Sequence, residues 1–131
     1  ESKEGQSRRG QAAQAALKRA EAAEVIRGQN AEFEIGLLHD QLKSSEEQRE
    51  ELLAEMSKQV EDHEELRKKR GHAEQRVERY GENPKLQADI DEASAAEEKL
   101  MISLREAEQK LAVLEADVEQ KRVLLQLAES T

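Results

Sequence analysis

The sequence predicts an all-α fold of long coiled-coil helices, two of them, broken at Gly81–Pro84. Three observations carry that prediction. First, stepping alternately four and three residues from Leu86 visits Ile90, Ala93, Glu97, Leu100, Leu104, Ala107, Leu111, Leu114, Val118, Lys121, Leu125 and Ala128. Eleven of these thirteen positions are apolar in a stretch otherwise crowded with Glu, Gln, Asp and Lys. A strict 3.5-residue period draws a narrow seam, which is buried only by another helix winding alongside. Second, 39% of the 131 residues are charged, 36% are apolar and 2% aromatic, with Phe33 and Tyr80 the only aromatic rings. That inventory is too thin for a globular core of ordinary thickness, whereas a rod needs one apolar stripe per helix. Third, Tyr80-Gly81-Glu82-Asn83-Pro84 is the one strong break signal in the chain. High charge and low hydropathy also mark disordered chains, but one proline, few glycines and an apolar set held in register oppose that reading.

Residues 1–10 hold two glycines and no apolar residue, and are expected to form a frayed or linker end. Residues 11–34 are rich in alanine, the strongest helix former, and small side chains on several faces fit close approach of neighbouring helices in a multi-helix assembly. Around residues 25–42 two stripes overlap: Ile26, Phe33 and Leu37 on one side, Ile35, Leu38 and Leu42 on the other. Residues 35–80 are the first coiled-coil helix. Its seam runs through Ile35, Leu38, Leu42, Ser45, Arg49, Leu52, Met56, Gln59, His63, Leu66, Arg70, Ala73, Val77 and Tyr80, nine of fourteen being apolar. Residues 81–83 are a loop or hinge: Gly81 can take the left-handed conformation that ends a helix, Asn83 is a good N-cap, and Pro84 suits the first helical position. Residues 84–130 are the second helix. Asp89, Asp91 and Glu92 near its start and Lys121 and Arg122 near its end agree with the helix dipole.

Two architectures use such a break, an antiparallel hairpin and a kinked parallel rod, and layer arithmetic favours the hairpin. A tight loop beside Gly81 and Glu82 sets Val77 against Leu86, Ala73 against Ile90, Met56 against Ala107 and Leu52 against Leu111. The same register brings Leu38 to Leu125 and Ile35 to Ala128, so the second arm, about 70 Å long, ends where the first helix changes character. In a parallel homodimer Arg49, Arg70, Glu97 and Lys121 would each face their own copy. In the hairpin they face Leu114, Ala93, Leu66 and Leu42, and Arg70 lies one layer from Glu97, close enough to pair.

Little else in the sequence carries chemistry. His63-Glu64-Glu65-Leu66-Arg67 opens like a zinc-protease helix, but Arg67 stands where the second His is needed. His72 lies well round the helix from His63, and His39 is read as a surface residue. The carboxylates from Glu46 to Glu65 lie on a solvated face, without the pocket that separates the pKa values of catalytic acids. No enzyme activity, metal or cofactor is expected. Without cysteine there is neither a disulfide framework nor a thiolate metal site, which fits a reducing, intracellular compartment of cytoplasmic or cytoskeletal type. No apolar run approaches a membrane span. The chain opens on Glu rather than Met, as expected of an excerpt from a longer protein.

A net charge of −9 disfavours nonspecific nucleic-acid binding by the chain as a whole. One patch reverses that sign: Arg67, Lys68, Lys69, Arg70, Arg76, Arg79 and Lys85, against Glu74, Glu78 and Glu82, are net +4. If the helices fold back, this patch surrounds the hairpin tip and could contact a polyanion such as RNA or an acidic filament. Complementarity to the acidic 46–65 stretch of a neighbouring chain, staggered by about two to three heptads, is the favoured reading of the patch.

Segments such as EELLAEMSKQVEDHEELRKKR and EEKLMISLREAEQKLAVLEADVEQKR resemble myosin-type rods, kinesin stalks and centrosomal or other cytoskeletal coiled coils. The likeness spans residues 35–128 and rests on composition and heptad spacing. The break is also similar to that of helical-hairpin arms such as the tRNA-binding arm of seryl-tRNA synthetases. The resemblance implies a structural, oligomerising scaffold segment of a larger protein. Its partners would be a second copy, with a dimer the expected assembly, or other coiled-coil proteins; no membrane or small-molecule partner is expected. The alternative is a hairpin arm that binds through its basic tip.

Overall fold

The computed structural model describes residues 3–130, with side chains described from Arg8 onward. Two helices account for nearly all of them: α1, Lys3–Tyr80, and α2, Pro84–Glu129. No strand occurs among the described residues. The helices pack against each other as the predicted hairpin.

The turn between them is built from the residues that announced it. Gly81 has φ 89°, a conformation that costs an L-residue roughly 1–2 kcal/mol and glycine almost nothing. Its N–H donates to the Val77 carbonyl at 2.8 Å, closing the last turn of α1. Two residues later Asn83 caps α2. Its Oδ1 accepts from the Lys85 N–H at 2.9 Å, and its carbonyl accepts the first helical bond, from the Gln87 N–H, also at 2.9 Å. Pro84 fills the first helical position, where its missing N–H leaves nothing unpaired.

Two expectations need correction. No acidic residue lies in the first turn of α2, and no basic residue in its last. Asp89, Asp91 and Glu92 begin after that turn, and Lys121 and Arg122 end well before Glu129, where the dipole's field has faded. The start of α2 is fixed by its cap rather than by charge. Residues 1–10, expected as a frayed linker, are helical from Lys3, while Glu1 and Ser2 lie outside the described residues. Gly5 and Gly10 each cost a helix about 0.5–1 kcal/mol, but no proline interrupts propagation outward from the alanine-rich segment.

Contacts divide the chain into two compact units, Lys43–Gln120 and the residues up to Leu42 together with those from Lys121. In the first, every seam position from Ser45 to Val77 and from Leu86 to Val118 is buried or half-buried. Val118 at 1% exposure and Ala93 at 3% are the most enclosed apolar residues. Larger side chains such as Leu52, Leu66, Leu100, Leu104, Leu111 and Leu114, with Met56 and Ile90, stay half-exposed, because a two-helix layer has water on both flanks. Tyr80, counted last on the first seam, is 73% exposed, since α1 ends there and no layer lies beyond it.

In the second unit Leu125 is buried, and Ile35, Leu38, Leu42, Lys121 and Ala128 are half-buried. The Nε2 of His39 donates to Glu129 Oε1 at 2.8 Å, at the last helical residue of α2. Upstream of Ile35 the side chains from Arg8 on are exposed, apart from half-buried Ala15.

Candidate interaction surfaces

Three cross-helix hydrogen-bonded contacts test the register of the Lys43–Gln120 unit. Gln59 Nε2 donates to Ser103 Oγ at 3.0 Å, one residue from Leu104, its expected opposite. Ser45 Oγ donates to Asp117 Oδ2 at 2.8 Å, one residue from Val118. The third contact joins Arg70 to Glu97, as the layer spacing required. Arg70 Nε lies 2.6 Å from Glu97 Oε2 and Nη2 lies 3.3 Å from Oε1, a bidentate pair, while Nη1 reaches Glu74 Oε1 at 2.9 Å. The hydrogen bonds to Glu97 first, and then to Glu74, push the Arg70 pKa upward, so the guanidinium stays charged at every accessible pH. Glu97 is 8% exposed and survives in the seam because Arg70 reaches it from the neighbouring layer. Gln59 is less well served: its Oε1 is buried and lacks a hydrogen-bond partner.

Asp117 and Ser103 were not singled out from the sequence. Both stand one residue before a seam position, as do the half-buried Asp89 and Ala96. Short side chains recurring in that column are the signal that would have found them.

The Arg70–Glu97 pair should contribute orientation more than stability. Arg70→Leu alone strands a buried carboxylate and should lower the melting temperature by several degrees. Replacing both residues by Leu should recover or exceed the parent value, while letting like seams pair wrongly. Thermal melts followed by circular dichroism, with cross-linking between residues 52 and 111, read both effects.

The basic patch is only partly free. Arg67, Lys68, Lys69, Arg76, Arg79 and Lys85 are exposed, whereas Arg70 is half-buried in its ion pairs. Lys68, Lys69, His72 and Arg76 line one shallow groove near the tip, but Glu65 and Asp89 line it too, with Ala73 and Leu86 between. His63 sits half-buried in the seam and His72 is exposed. No cluster of three metal-ligating side chains occurs among the described residues. No described helix is long and apolar enough to cross a membrane.

The third surface is apolar. Ahead of the last turns of α2, α1 presents Leu17, Val25, Ile26 and Phe33 at 56–72% exposure, with Leu37 at 47%. On α2, Ile102 and Val113 of the Lys43–Gln120 unit are exposed, and so, in the other unit, are Val123 and Leu127. Comparison with protein-family models, with curated proteins and with solved structures finds no match for this chain.

Proposed function

We propose that the chain is a structural coiled-coil segment of a larger scaffold, a helical hairpin that associates with a second copy and holds its partners at a fixed spacing. The supporting observation is the uncovered apolar length of α1. Phe33 is 72% exposed and Ile26 56%. Exposed apolar side chains recurring along one helix mark an association surface, and burying each large one contributes up to about 1.5–3 kcal/mol. The hairpin supplies stiffness and the overhang supplies the joint. A binding arm with a basic tip ranks second, because Arg70 is held by Glu97 and Glu74, and Glu65 and Asp89 dilute the groove beside Lys68 and Lys69. The reading assigns no catalytic step.

Sedimentation equilibrium across a hundredfold range of concentration tests it. The expected result is a reversible dimer whose fraction grows with concentration. A monomer at every concentration would overturn the proposal.

A further inference from the structure

The exposed overhang of α1 carries a second seam of its own, and this inference rests on the self-association proposed above. From Ala12 to Leu37 steps of four and three residues recur in register, on the side of α1 turned away from Ile35 and Leu38. Every position on that stripe is exposed. Its order is self-complementary about a point between Glu24 and Val25. If a second copy runs antiparallel about that point, Leu37 meets Ala12, Phe33 meets Ala16, Ile26 meets Ala23, and Asn30 meets Arg19. Each apolar layer then pairs one large residue with one alanine, so the helices can keep a constant separation. The two polar residues fall in the same layer, where the Asn30 carbonyl can accept from the Arg19 guanidinium. A parallel in-register pair would instead set Arg19 on Arg19 and Phe33 on Phe33, beside narrow alanine layers.

We propose that this stripe is a two-fold dimer joint, its occupant the same segment of a second copy running in the opposite direction. The flank fits such a close approach: Ala15, Ala22 and Gly36, each one residue before a stripe position, are small. Along the roughly 38 Å from Ala12 to Leu37 a strip about 10 Å wide is covered on each chain. That gives about 760 Å² over both, at the low end of weak, reversible interfaces. Because the joint is isologous, it closes at two copies and does not propagate into a filament.

The absence of cysteine makes the test clean. Arg19→Cys and Asn30→Cys variants of the whole chain are mixed in equal amounts and oxidised. Within one helix these positions lie about 16 Å apart, too far for an internal disulfide. The expected product is the mixed disulfide between the two variants, well in excess of either like pair. Predominance of like pairs would mean a parallel dimer and would overturn this inference while leaving self-association standing. Phe33→Asp is the companion variant. It should weaken the dimer about tenfold or more while the hairpin's helical signal and melting stay unchanged. A dimer that survives Phe33→Asp would place the joint elsewhere, for instance on α2, and would also overturn the inference. A parent chain that stays monomeric fails both this inference and the reading beneath it.

Discussion

Val118→Asp should release the end of the hairpin, with a loss of about 4 kcal/mol or more from the layers around it. Val118 is the most enclosed apolar side chain among the described residues, at 1% exposure, and it shares its layer with buried Ser45. A carboxylate there loses its water, and its neighbour Asp117 already accepts a hydrogen bond from Ser45. Unlike the long arm of Arg49 or Lys121, an Asp side chain is too short to carry its charge out to water. Val118→Ala is the control: it removes apolar area without adding charge and should cost about 1.5 kcal/mol. Amide hydrogen exchange read residue by residue, beside thermal melts, separates the two. The Asp variant should lose protection on both helices around this layer, while the layers near Gly81 keep theirs. Equal protection in both variants would mean that the seam does not hold the helices together.

The second large effect is topological. Changing Gly81, Asn83 and Pro84 together to Ala removes the left-handed turn, the cap and the fixed first residue, and leaves a sequence with no reason to stop being helical. The seams on either side are offset by one residue, since Tyr80 and Leu86 stand six apart where seven are needed. A straightened chain can still bury both by exchanging arms with a second copy, which preserves every layer of the hairpin between chains. Spin labels at residues 52 and 111, diluted with unlabelled chains, read the difference. The parent should give a short distance, set by two adjacent helices, and the triple variant one of about 88 Å, the rise of a continuous helix. A short distance in the diluted variant would show that seam closure alone bends the chain.

Much of this architecture could be read in the residues because each device is local or periodic. The seam is a spacing rule, and every position named on α2, from Leu86 to Ala128, is buried or half-buried. The turn is three residue types in order, each with one conformational use. Orientation followed from asking what Arg70 and Glu97 would face, and their 2.6 Å contact answers it. What escaped has a different character. The Ser45–Asp117 and Gln59–Ser103 bonds depend on which way short side chains rotate off the seam, and period does not encode that. The helix through Gly5 and Gly10 depends on propagation from downstream, which no residue within 1–10 announces. The stripe through Ile26, Phe33 and Leu37 is legible in the residues, but its continuation back to Ala12 is not, because alanine on several faces blurs the pattern.

The three-residue turn also sets an order of events as the hairpin closes. Val77 and Leu86, its nearest layer, are separated by a short stretch of chain, so their encounter loses little entropy and can occur within microseconds. Each later layer then closes against one already made, so the contacts grow like a zipper from a single nucleus, with low contact order at every step. During synthesis the whole of α1 emerges first, with its leucines uncovered. The residues beside the turn find shelter earliest, and Leu52 must wait until Leu111 has been made.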